Sequence, residues 1–173
     1  MRGALAEMRT LLLELRPSAL TEIPLPDLLR QLCESLIGRA RLPIQLRVDG
    51  ARKVPPDLQI CLYRITQEAL NNVVKHAKAT QALVTLQLGE KVTLSIVDNG
   101  SGFDPARVPP DHLGLKIMCE RAEAIGADFS IYSEPGEGTQ VFVSWVPTAP
   151  GPLQSSSETG TEEREEMSQR GQL

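Results

Sequence analysis

Gln67-Glu68-Ala69-Leu70-Asn71-Asn72-Val73-Val74-Lys75-His76 is the stretch on which the reading of this chain turns. It lies inside a longer periodic pattern. Leu58, Leu62, Ile65, Ala69 and Val73 recur at steps of three and four, which predicts one helix over about 56–78 with a single apolar face. Glu68, Asn72 and Lys75 are spaced by four and three residues and so form a second stripe beside the apolar one. A carboxylate, an amide oxygen and an ammonium then stand in a row at the edge of a core. An amide oxygen together with water and phosphate oxygens is a common way to hold Mg²⁺, which gives up its hydration reluctantly. A carboxylate one turn away is placed to orient a nucleophile. The plain alternative is an ordinary solvated helix face, and the stripe taken alone leaves it open.

Working outward, residues 4–16 carry Leu5, Met8, Leu12 and Leu15 at helical steps, ended by Leu15-Arg16-Pro17, because a residue before proline resists the helical region. A second helix is predicted from near Pro26, with Leu28, Leu32, Cys33 and Leu36 as its stripe and Gly38 and Pro43 stopping it. Ile44, Leu46 and Val48 alternate with polar residues as in a strand. Past the central helix, residues 82–88 and 92–97 read as a hairpin around Gly89-Glu90. Residues 98–113 read as loop and 114–124 as helix stopped by Gly126. Residues 129–132 and 140–146 read as a last strand pair. Helices set against a mixed, mostly antiparallel sheet make an α+β class, a two-layer α/β sandwich with the helices on one face.

Three further clusters interrupt these elements. Asp98-Asn99-Gly100-Ser101-Gly102 follows directly on a strand. Asn-Gly is a strong hairpin turn, but the residues after Gly102 do not alternate, so no second strand answers it. The alternative is a strand-end carboxylate that accepts a hydrogen bond from an exocyclic amine such as that of adenine, with glycines that let a ligand approach the backbone. Residues 101–113 are long for a loop without structure of its own, as in a functional lid. They run into Gly114-Leu115-Lys116, a helix start whose free N–H groups suit phosphate. Gly136-Glu137-Gly138-Thr139 opens the last strand and is either a plain glycine turn or a way of pointing the Thr139 hydroxyl into a pocket.

Composition narrows the classes. The 173 residues are 41% hydrophobic and 3% aromatic, so a core must be built from aliphatic side chains. The net charge is −4. From residue 148 onward five glutamates face two arginines, which leaves the rest of the chain nearly neutral and without the basic stripe of a nucleic-acid surface. That last segment is poor in apolar residues and reads as a disordered tail. No apolar run reaches the ~20 residues of a membrane span and no leader is read at the start, so the segment is expected to be cytoplasmic, with no membrane contact. Cys33, Cys61 and Cys119 are widely spaced and expected to be buried free thiols.

Taken together, the order and spacing of these clusters resemble the Bergerat-fold ATPases, the superfamily of gyrase, histidine kinases and MutL, over about 26–147. Residues 68–76 resemble the N box. Asp98 to Gly102 resemble the first glycine box, Gly114 with Leu115 the second, and Gly136 to Thr139 the last glycine turn. The wording of 67–77, and of Gly-Leu-Lys-Ile-Met-Cys-Glu-Arg-Ala at 114–122, resembles sensor kinases of the nitrate-sensor and desaturase-sensor type. The resemblance implies ATP and Mg²⁺. Asp98 would hold the adenine amine with Thr139 in support, and Asn72 would ligate the metal. Glu68 would sit by the γ-phosphate and Lys75 or His76 would contact phosphates. Gly100, Gly102 and Gly114 would permit a lid. It divides the chain into a remnant of a dimerisation helix (1–20), an ATPase domain (21–147) and the acidic tail (148–173). The partners implied are ATP or ADP, a histidine-bearing dimerisation domain and, indirectly, a response regulator, with homodimerisation in a full-length protein. One departure stands out: the only histidines are His76 and His112, in the N box and the lid. The chain is therefore expected to be a catalytic fragment without the phosphoacceptor. An anti-sigma-factor-type serine kinase and a non-catalytic nucleotide-gated interaction module are the competing readings.

Overall fold

The computed structural model of the protein describes residues 19–107 and 113–147. In chain order the elements are α1 (Ala19–Glu22), α2 (Leu25–Ala40), β1 (Ile44–Gly50), α3 (Pro56–Asn72), a π turn (Val73–Ala77), β2 (Ala82–Leu88), β3 (Val92–Asp98), a 3-10 turn (Pro105–Arg107), α4 (Leu113–Glu123), β4 (Asp128–Glu134) and β5 (Gly138–Trp145). The expected helix over 4–16, the acidic tail, and residues 108–112 of the expected lid, His112 among them, lie outside the described residues.

Proline opens both long helices. Pro24 and Pro55 take the N-cap positions, and a second proline follows in the first turn of each, where a missing N–H costs nothing. The stripe of α2 is buried as expected and is widened by Leu25 and Leu29. Gly38 does not stop this helix. It runs two residues further, to a left-handed Arg41 whose N–H donates to the Ile37 carbonyl at 3.0 Å. A glycine costs a helix only about 1 kcal/mol, less than the buried leucine face supplies. All five expected stripe residues are buried, Leu58, Leu62, Ile65 and Ala69 in α3 and Val73 just past its end. The α geometry ends at Asn72, however, and a π turn carries the chain to a left-handed Lys78, where an unbroken helix was expected.

The five strands form one sheet in the order β1-β2-β3-β5-β4. β1 and β2 are parallel, joined by the α3 crossover, and the other three pairings are antiparallel. Alternation then fixes the layers. Val84, Leu86, Leu94, Ile96, Val141 and Val143 are buried beneath the helices, and their sequence neighbours face the other side. Each fully buried leucine or isoleucine contributes roughly 1.5–3 kcal/mol, so this aliphatic layer is the main source of stability. The architecture is the two-layer α/β sandwich. Among the described residues no helix is long and apolar enough to cross a membrane.

Cys33 and Cys61 are buried free thiols, and burial pushes them up to about 12 and about 11. Cys119 departs from the expectation. It is half-buried on α4, with its thiol against the Glu123 carboxylate at 3.3 Å.

Candidate functional site

β3 ends in a carboxylate that folding has taken out of water. Asp98 is 5% exposed although it is the last residue of its strand. Its Oδ1 accepts the Gly100 N–H at 2.7 Å. Burial pushes the carboxyl above the ordinary carboxylate range, and the N–H groups of Gly100 and Thr139 draw it part of the way back. Register places Asp98 opposite Thr139, and Thr139 opposite Ser133. The three side chains therefore form one row across β3, β5 and β4, continuing the face of Ile96 and Val141. A cleft of about 480 Å³ is lined by this row together with Ile131, Pro105 and Glu137.

The glycines around the row are there because neighbouring backbone leaves no space. A Cβ on Gly100 would lie 2.3 Å from the Ala77 carbonyl oxygen, and one on Gly138 would lie 2.1 Å from that of Asp98. Gly102, at φ 55°, would meet the Glu134 carbonyl. Hydrogen bonds stitch the same segments. The Ser101 N–H donates to the Ala77 carbonyl and the Gly136 N–H to that of Ser101, both at 2.7 Å. The Asn99 side chain faces the other way, accepting the N–H groups of Thr80 and Gln81 at 2.9 and 3.0 Å. Asn-Gly is thus a knot holding the end of β3 and not a hairpin turn.

The helix cluster lies one layer over. Glu68 and Asn72 are both half-buried at the end of α3. The Glu68 carboxylate packs onto Gly114: a Cβ there would be 2.3 Å from Oε1. So the Glu68 carboxylate and the start of α4 are brought together, with Leu115 half-buried against the core. Lys75 and His76 are exposed on the π turn. Lys75, the last member of the expected row of Glu68, Asn72 and Lys75, lies past the end of α3 on that turn, whose i→i+5 bonds change the angular spacing from that of an α-helix. Lys116 points to Glu120, 3.6 Å away. Glu68 and Asn72 do not line the Asp98 cleft. The contacts of Ala77 with Gly100 and Ser101 join the two clusters.

Ser133 was not singled out from sequence. Its hydroxyl meets the Phe103 N–H (2.9 Å), the Gly138 carbonyl (2.9 Å) and the Thr139 hydroxyl (3.0 Å). A signal was available. Counting outward from the Pro135-Gly136-Glu137 turn pairs Glu134 with Gly138 and then Ser133 with Thr139.

Residues 57–150, more than half of the chain, match the family described as histidine kinase-, DNA gyrase B-, and HSP90-like ATPase. The chain belongs to this ATPase family. Among individual proteins, the sensor protein VraS of Staphylococcus saprophyticus is 40% identical over 139 residues, covering 79% of this chain and 40% of the relative. The sensor histidine kinase LiaS of Bacillus subtilis is 38% identical over 146 residues, covering 83% and 40%. The chain thus spans about two fifths of the length of these curated relatives. Of solved structures, full-length ShkA in complex with AMPPNP superposes with a TM-score of 0.59 at 26% identity, over 70% of this chain and 30% of that one. A histidine kinase domain from Erythrobacter litoralis EL346 gives 0.57 at 24% identity over 72% and 61%, a likeness of fold. The ATPase family accounts for a two-layer sandwich whose glycine-rich loops gather at one end of the sheet.

Proposed function

We propose that this chain is the ATP-binding catalytic domain of a sensor histidine kinase in two-component signalling, transferring the γ-phosphate of ATP to a histidine on a dimerisation domain. The observation that carries the reading is the buried Asp98 carboxylate in a cleft on a chain of this ATPase family. A carboxylate offers about four acceptor sites, so Asp98 keeps acceptor capacity beyond its two backbone donors, and an exocyclic amine supplies the matching donor. Thr139 stands beside it. Gly100, Gly102 and Gly138 let the backbone segments around the row close onto one another beside the space where a base would lie. The sensor-kinase names of the relatives favour a histidine over a serine acceptor.

On the phosphate side, Glu68 orients the acceptor nucleophile and Lys75 and His76 supply exposed cationic and donor groups beyond it. Among the described residues no three His, Cys, Asp or Glu side chains are gathered to hold a metal. A magnesium ion would rest on the Asn72 amide oxygen plus phosphate and water, a donor set it accepts. There it would neutralise phosphate charge. Phosphoryl transfer asks mainly for positioning and charge neutralisation, and these residues serve that purpose. We place the ATPase domain at 21–147. The acceptor domain, the response regulator and dimerisation belong to the whole protein.

The test is a mixture of the chain, γ-labelled ATP, Mg²⁺ and a separate dimerisation domain from a related sensor kinase. Acid-labile label is expected on the added domain and not on His76 or His112. Asn72→Ala should abolish most of that transfer while leaving metal-free ADP binding within about threefold, since the amide contributes only through the ion. Equal loss of both would make Asn72 structural. Stable label on His76 or His112 would overturn the division between kinase and acceptor.

A further inference from the structure

We propose that Ser133 is a positioning residue for base selection: it fixes the hydroxyl proton of Thr139 so that the Thr139 and Asp98 side chains offer only acceptors to the cleft, and so selects a 6-amino purine over a 6-oxo purine. The inference rests on the nucleotide-site reading above and adds a residue and a specificity to it.

The argument is proton accounting. A serine hydroxyl has one hydrogen and two lone pairs. The Gly138 carbonyl can only accept, so at 2.9 Å it takes the Ser133 hydrogen. The Phe103 N–H can only donate, and at 2.9 Å it fills one Ser133 lone pair. The contact to Thr139 at 3.0 Å is then satisfied in one way: Thr139 donates and Ser133 accepts. With its hydrogen directed at Ser133, Thr139 has lone pairs alone to offer the cleft. Its neighbour in the row is Asp98, whose ionised carboxylate is acceptor-only. Two acceptors side by side match the two hydrogens of an amine. They repel the carbonyl that a 6-oxo purine puts in the amine's place, which is itself an acceptor and brings no donor to that position.

Ser133 also joins this row to the start of the following loop, because Phe103 is the first residue after Gly102. The geometry is specific to this register. Ser133 and Thr139 are cross-strand partners, so their hydroxyls meet across the β4–β5 hairpin.

Calorimetry with ADP and with inosine diphosphate, which carries a carbonyl where ADP carries the amine, reads the proposal directly. The parent should prefer ADP. In Ser133→Ala the Thr139 hydroxyl is free to rotate and donate, so the preference should shrink about three- to tenfold, the worth of one hydrogen bond. Ser133→Thr, which keeps the hydroxyl, should restore it. Ser133→Cys, of similar volume and a weak hydrogen-bonder, should behave like the alanine variant and replaces it if alanine does not fold. Equal weakening of both nucleotides, or an unchanged ratio, overturns the proposal and makes Ser133 a structural tie. Asp98→Asn separates the two levels. If it loses ADP while Ser133→Ala keeps the parental ratio, only this inference fails. If the parent binds neither nucleotide, or Asp98→Asn binds ADP normally, the nucleotide-site reading fails and this inference falls with it.

Discussion

Asp98 holds a carboxyl whose burial works against the fold that contains it. Burial raises its folded-state pKa above the ordinary carboxylate value. The associated preference for the folded state is full below the unfolded pKa and is lost as pH rises through the folded one. At neutral pH the ionised group is therefore a standing cost. Asp98→Asn is expected to melt at or above the parent's temperature at neutral pH, with the difference shrinking on acidification. Binding runs the other way, since the amine needs an ionised acceptor. ADP affinity should fall as pH drops through that raised pKa, and the asparagine variant should lose roughly 10- to 150-fold at neutral pH, from the ~1.5–3 kcal/mol of a charge-assisted bond. Melting curves and calorimetry across pH check both signs. Parental ADP affinity in a well-folded asparagine variant would remove Asp98 from the site. The candidate role of Asp98 was legible because a strand-end aspartate followed by two spaced glycines lacks the second strand a hairpin needs. The role of Ser133 was hidden because a serine beside a Pro-Gly turn is ordinary until register supplies its partner.

At the scale of elements, the start of α4 and the end of α3 meet through Gly114 and the Glu68 carboxylate. Alanine forms helix better than glycine by about 1 kcal/mol, but its Cβ at position 114 would stand 2.3 Å from Glu68 Oε1. The carboxylate is the far end of a flexible side chain and can swing aside. Gly114→Ala should therefore leave the melting temperature unchanged or slightly higher, keep ADP binding, and cut phosphotransfer to a supplied acceptor by tenfold or more, ~1.4 kcal/mol of transition-state stabilisation. Unimpaired transfer would show that Glu68 has no duty at that position. Helix bodies were legible from their stripes; their ends were not. Val73-Val74-Lys75-His76-Ala77 contains no breaker, and the π turn coincides with the bond from the Ser101 N–H to the Ala77 carbonyl, made by a residue two dozen positions downstream. Gly38 misled in the opposite direction, since a local penalty was outweighed by burial on the far side of the same helix.

For the whole molecule, the layer order was legible because periodicity records which side of each element meets the core. The strand order was not, since nothing local to residues 44–50 says that they lie at an edge, parallel to β2. One side chain ties the N-terminal end of the described chain to this body. Gln59 on α3 is 7% exposed, and its amide donates to the carbonyls of Leu20 and, at 2.8 Å, Ile23. Gln59→Leu should cost about 1–3 kcal/mol, the penalty for buried carbonyls left without donors. It should also speed amide exchange in α1 before any other element. Uniform exchange with no loss of stability would show that α1 is held by Leu20 packing alone.

The strand order also has a consequence in time. Asp98 belongs to the β2–β3 hairpin, whereas Thr139 and Ser133 belong to β4–β5, and each hairpin can close on its own with a short loop. The row exists only after β3 and β5 have paired across some forty intervening residues, a step that loop-closure entropy makes slow. A chain caught with both hairpins formed but not yet docked would have nearly all its secondary structure and no place for a base. The recovery of nucleotide binding during refolding should therefore lag the recovery of strand signal, and the length of that lag is the time the two halves take to find each other.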